Sequence, residues 1–164
     1  MNSGHMLLSM GAMMLLSTIL LGVNSNILNT GSTLDQTKFG ILATSLGTSI
    51  IEEANSKAFD LATVNDAVSN LNSLTDPNGL GPASGEVYPF FNDVDDFNGL
   101  SRIIATMPSA VFKESCAVHY VSANNPSVIV NTKTWHKRVD VFITSPSIKD
   151  TIKLSSVSSY WYFR

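Results

Sequence analysis

The sequence predicts an α+β fold: one long N-terminal helix, apolar in its first half and amphipathic in its second, packed on a small C-terminal antiparallel β-sheet. Three observations predict it. Residues 6–23 carry no charge. Apolar residues then recur at helical spacing to about residue 59. The C-terminal third changes to β-branched and aromatic residues interrupted by turn signals. At 164 residues the chain has room for one small domain plus an anchor.

The apolar segment comes first. Eighteen helical residues rise about 27 Å, close to the thickness of a hydrocarbon core. A cleaved secretion signal would pair a basic n-region with a shorter apolar run and a small-residue cleavage site. Here the first lysine or arginine is Lys38, and Leu20, Leu21, Gly22, Val23 and Asn24 supply no A-x-A-like site. No cysteine follows for lipid attachment. A retained membrane helix is the better match. Met6, Leu7, Leu8, Leu15, Leu16, Ile19 and Leu20 are its candidate stem residues, and Ser9, Gly11, Ala12, Ser17 and Gly22 would allow close helix approach.

The helical pattern continues through Ile27, Leu28, Leu34, Phe39, Leu42, Leu46, Ile50, Ala54 and Phe59, with Asp35, Lys38, Glu52, Glu53 and Lys57 between them. This is an amphipathic helix with one face meant for a partner surface. Residues 24–26 and 29–33 are weak helix formers, so a kink or melted stretch is expected there. Beyond the helix, 61–74 reads as a short irregular helix and 76–99 as mostly loop, dense in Pro, Gly, Asn and Asp. Within that loop, Asp93, Asp95 and Asp96 stand between Asn92 and Asn98. Oxygen ligands at this density suit Ca²⁺. Counting back from Gly99, however, puts Val94 where an EF-hand loop needs an oxygen. A solvated acidic turn that orders the next segment is therefore preferred to a calcium site.

Three or four antiparallel strands are expected after residue 100. Cys116, Val118 and Tyr120 share one face of a strand, and Val139, Val141 and Ile143 alternate with Arg138, Asp140 and Phe142. The sheet needs a cover, and the second half of the first helix is the amphipathic element long enough to supply it. His136, Lys137 and Arg138 read as the solvated end of a strand. The closing Tyr160, Trp161, Tyr162 and Phe163 read as core and cover at a sheet edge.

The composition excludes some functions. A net charge of −3 with 14% charged residues leaves no broad basic surface for nucleic acid. The single Cys116 excludes an internal disulfide. Cys116 and His119 fall on opposite faces of a strand and cannot form a nucleophile–base pair. His119 and His136 could face each other across two strands, but two histidines without a clustered third ligand make a poor metal site. No G-x-S-x-G, phosphate-binding glycine loop or H-E-x-x-H is present, so no enzyme is expected.

The apolar helix, its amphipathic continuation through "LATSLGTSIIEEANSKAFD", the "DVDDFNG" loop and the terminal sheet together resemble type IV pilin-like proteins, above all minor pilins and type II secretion pseudopilins. The resemblance implies a leader at 1–4 cut after Gly4, with His5 the first mature residue. It implies a transmembrane half of the stem at 5–26, an amphipathic half at 27–60, a connector at 61–100 and a sheet domain at 101–164. It implies a bacterial inner-membrane precursor with an extracytoplasmic C-terminal domain that later enters a cell-surface or periplasmic filament. The partners implied are like pilin subunits through the stem, a prepilin peptidase and inner-membrane assembly machinery, in addition to the membrane itself. The family places phenylalanine first in the mature chain, a glutamate five residues in and basic residues before the glycine. Here those places hold His5, Ser9 and the uncharged Met1, Asn2 and Ser3. That difference implies a minor or tip subunit. The alternative is a single-pass, membrane-anchored extracytoplasmic binding module that does not polymerise.

Overall fold

The computed structural model describes residues 3–107 and 109–161. Met1 and Asn2 of the expected leader, and Tyr162 and Phe163 of the closing aromatic run, lie outside them. The first element, α1, is a helix over Ser3–Asn55. The chain divides into two compact units at Lys38 and Phe39. The assignment of α1 is helical through 24–33, so the expected melted stretch does not occur. Weak helix formers cost only a few tenths of a kcal/mol each, about 0.7 at most apart from glycine, whereas breaking the helix requires a second nucleation. Thr33 and Thr37 also satisfy their hydroxyls on the carbonyls of Asn29 and Thr33, each at 2.9 Å.

Within the second unit, four strands form an antiparallel meander: β1 (Ser101–Ile104), β2 (Phe112–Tyr120), β3 (His136–Thr144) and β4 (Ile152–Ser159), in the order β1-β2-β3-β4. The expected α+β fold is therefore observed, with the second half of the helix packed on a small sheet. Helix burial starts at Phe39: Ala43, Gly47, Ile50 and Ala54 are buried, and Phe39, Leu42, Leu46 and Ile51 pack beside them. Steps of three and four keep these residues on one face. Ile27, Leu28 and Leu34 are 65%, 66% and 65% exposed.

The sheet presents Phe112, Cys116, Val118, Val139, Val141 and Ile143 to this helix face. Each such side chain contributes about 1.5–3 kcal/mol when fully buried. The helix comes close to the sheet at Gly47, where an added Cβ would lie 2.6 Å from Leu154 Cδ1 and 3.5 Å from Ile143 Cγ1. Gly47→Val is expected to destabilise the fold by about 1–3 kcal/mol through overpacking. Gly47→Ala, for which only the end of Leu154 must move, is expected to cost much less. Thermal unfolding of the two variants side by side checks this.

The helix ends at Asn55, not near Phe59. Ser56 N bonds Glu52 O and Glu53 O, Lys57 N bonds Ala54 O, and the chain then turns to bridge Ala58 with Asp93. Asp60 caps the next turn, accepting from Ala62 N while the Thr63 hydroxyl accepts from Asp60 N. The stretch expected as an irregular helix holds two isolated 3₁₀ turns, Leu61–Thr63 and Leu71–Ser73, and two more stand at Pro77–Gly79 and Asp95–Phe97. Asn and Asp side chains cap three of the four and compete with continuous helix.

Candidate functional site

The first unit contributes a bare helical surface. Among the described residues, α1 is the one helix long and apolar enough to cross a membrane. Every residue from 3 to 35 is exposed, Leu7, Leu8 and Leu15 at 71%, 76% and 67%. Met6, Leu16, Ile19 and Leu20 are likewise exposed. Two hydroxyls on this surface close on the helix itself: Ser9 Oγ donates to Met6 O at 2.9 Å and Thr18 Oγ1 to Leu15 O at 2.8 Å. Such internal bonds let hydroxyls sit in an apolar surrounding. Gly4 and His5 lie in the first turn, exposed, with open space where a Gly4 Cβ would stand. Further along, Val23, Asn26, Ile27, Thr30, Gly31 and Leu34 line an open groove of about 520 Å³. These positions share one helix face, and the missing side chain of Gly31 deepens it.

The second unit contains a buried ionic cluster that the sequence reading did not anticipate. Lys137, expected at a solvated strand end, is fully buried. Its Nζ donates to Asp60 Oδ2 at 2.7 Å, to Phe59 O at 2.9 Å and to Asp95 Oδ1. The rings of Phe59 and Tyr120 stand 4.6 and 5.2 Å from the ammonium. Asp60 also accepts from Thr75 N and Oγ1, and Tyr120 donates to Thr75 O at 2.8 Å. Burial pushes the Asp60 carboxyl up, but the Lys137 charge and the donors around it outweigh this and hold it below the ordinary range.

The acidic loop is buried rather than solvated: Asp93, Asp95 and Asp96 are 1%, 2% and 1% exposed. Asp93 Oδ1 accepts from Asp95 N at 2.8 Å and Asp96 N at 3.3 Å, and Asp96 Oδ2 accepts from Asn92 N and Asp93 N. The expected ordering role is thus present, performed by internal caps. Among the described residues no group of three or more His, Cys, Asp or Glu side chains is placed to hold a metal ion. Asp93 carries the largest consequence for pH. Burial, then the Asp95 charge, raise its carboxyl to about 8 from an ordinary 3.8. Between those values the folded chain holds a proton that the unfolded chain has lost, so stability falls as pH rises through this window and levels above it. Asp93→Asn, which keeps the acceptor for Asp95 N and Asp96 N, is expected to flatten that slope in denaturant titrations at pH 5, 6.5 and 8.

A second ion pair, with one buried partner, lies on β1 and β2, where the half-buried Arg102 donates through Nε to Oε2 of the buried Glu114 at 2.8 Å and covers the Tyr88 ring at 4.3 Å. Burial pushes the Glu114 carboxyl up against the opposing pull of Arg102, and pushes the Cys116 thiol up to about 12. That thiol is a core residue rather than a nucleophile. His119 pairs in register with Arg138, not with His136, which instead meets Ser159 Oγ at 2.8 Å through Nδ1. The cross-strand histidine pair considered and disfavoured from the sequence is therefore not formed. His119 borders a cleft of about 250 Å³ with Pro77, Leu80 and Ile129, below the range of about 300–1,000 Å³ usual for small-molecule sites.

The alternation along the strands carried the missed signal. Lys137 falls on the same face as Val139, Val141 and Ile143, and Glu114 on that of Phe112 and Cys116. A charge at a core-facing position of a period-two strand calls for a buried counter-charge elsewhere in the chain. No family model, no curated protein and no solved structure matches this chain.

Proposed function

We propose that the protein is a structural subunit of a type IV pilus-like or pseudopilus-like filament, held in a bacterial inner membrane by its N-terminal helix before assembly. One observation carries the reading: exposed apolar side chains continue past the length that a bilayer can cover. Residues 6–23 already span about 27 Å as helix, close to a hydrocarbon core of about 30 Å. Ile27, Leu28 and Leu34 lie beyond it, about two-thirds exposed. The groove of Val23, Ile27, Gly31 and Leu34 suits a neighbouring helix better than lipid tails. Like subunits supply such helices. Cleavage after Gly4 by a prepilin peptidase would release His5 as the first mature residue, and the sheet unit would form the extracytoplasmic surface in a periplasmic or cell-surface filament.

Cross-linking tests the reading. Paired cysteines at Ile27 and Leu34, two exposed thiols per chain beside the buried Cys116, treated with a short bis-maleimide in membranes and in sheared surface material, are expected to give a ladder of dimers, trimers and higher multimers of this chain. A chain that stays monomeric in both fractions overturns the filament reading in favour of an anchored module that does not polymerise. Mass spectrometry of the mature N-terminus checks processing separately, with His5 expected.

A further inference from the structure

Lys137, Asp60 and Asp95 are 0%, 0% and 2% exposed, and a single ammonium faces two carboxylates from two different connector turns. We propose that Lys137 and Asp95 join covalently, Nζ to Cγ, as an intramolecular isopeptide bond, with Asp60 as the group that carries a proton between them. The inference stands apart from the filament reading.

Geometry assigns the roles. Asp60 is held by Ala62 N, Thr75 N, Thr75 Oγ1 and Lys137 Nζ, which fixes it as a carboxylate able to take and return a proton. Among the described residues no backbone N–H donates to the Asp95 carboxyl, and its Oδ1 lies 2.5 Å from Nζ. Asp95 is the freer of the two to change its bonding. Nζ passes one proton by way of Asp60 to the Asp95 carboxylate, which becomes the neutral acid, and the amine then attacks Cγ of Asp95, forming the N–C bond. A second Nζ proton, relayed the same way, leaves with the Asp95 hydroxyl as water, which breaks the C–O bond. The ammonium–carboxylate pair becomes an amide plus water, Asp60 returns to its starting state, and no other reactant is consumed.

Two physical terms favour the step. A buried ion pair retains a desolvation penalty of several kcal/mol per ion, whereas a hydrogen-bonded amide carries much less. Holding the amine against the carboxyl replaces an encounter by an effective molarity on the order of 10⁵–10⁸ M. The surrounding Phe59 and Tyr120 rings keep water, the reverse reactant, away. Joined in this way, the connector turn at Asp95–Phe97 would be tied to β3 by a covalent bond.

Peptide mapping of the full-length chain, purified in detergent and denatured before trypsin, tests the proposal. Trypsin cuts after Lys57, Arg102, Lys133, Lys137 and Arg138 in a free chain. The expected product is a branched peptide of 58–102 and 134–138, uncut at Lys137 and lighter by one water than its two parts, with fragment ions that place the bond at Asp95 and not Asp60. Lys137→Arg, whose guanidinium does not acylate, is expected to give the two linear peptides. Recovery of linear 134–137 from the wild-type chain in place of the branched peptide, or a bond mapped to Asp60, overturns the proposal.

Discussion

Replacing Lys137 with alanine is expected to destabilise the folded domain by at least about 3–5 kcal/mol, the usual consequence of leaving a buried charge without its partner, and by more where the bond to Asp95 has formed. The side chain is fully buried, and its Nζ bonds Asp60, Asp95 and the carbonyl of Phe59. Alanine would leave two carboxylates facing each other in an apolar pocket, one carbonyl without its donor, and a void where the butyl chain stood. The loss reaches beyond one contact, because Asp60 begins the connector and Asp95 closes it. Guanidinium titration of the detergent-solubilised chain reads the effect through Trp135, whose ring stacks on Tyr160 at 5.5 Å and reports on the same end of the sheet. Lys153→Ala is the control. That lysine is 51% exposed and 3.7 Å from Asp140, so its removal is expected to cost less than about 1 kcal/mol. Equal midpoints for the two variants would remove Lys137 from its place at the centre of this cluster.

The contrast between these lysines also marks what was legible in the sequence. Periodicity located the helix and the sheet, because 3.6-residue and two-residue patterns follow from side-chain direction alone. It placed Cys116, Val118, Tyr120, Val139, Val141 and Ile143 on buried faces, where they lie. It failed where residue type overrode position. Lys137 was read by its charge as solvated, although its register with Val139 put it inside; Asp93, Asp95 and Asp96 were read as a wet turn, although four buried aspartates, with Asp60, pack around one lysine and a set of backbone donors. Pairings such as Asp60 with Lys137 are separated by 77 residues, and no local pattern encodes them. The stem was legible for the opposite reason. A run of exposed apolar side chains has no long-range partner within the described chain to be missed.

The second large effect is expected in that run. Leu15 and Leu16 stand at the middle of residues 6–23 and are 67% and 58% exposed. On an insertion scale, Leu, Ile and Val each favour the bilayer centre by about 0.3–0.6 kcal/mol, and aspartate opposes it by about 2.5–3.5 kcal/mol. The branched residues left in Leu15→Asp/Leu16→Asp are Leu7, Leu8, Ile19, Leu20, Leu21 and Val23. Together they offer roughly 2–4 kcal/mol against a penalty of roughly 5–7 kcal/mol, so insertion changes sign. The double variant is expected to leave the membrane pellet for the soluble fraction and to disappear from sheared surface material. Leu61→Asp, a charge added at a half-exposed position outside α1, is expected to leave both distributions unchanged. Membrane retention and filament incorporation that survive the double aspartate would overturn the stem reading. Loss of the ladder with retention intact would instead separate the two uses proposed for this helix, a lipid-covered span at residues 6–23 and a like helix seated in the groove from Val23 to Leu34.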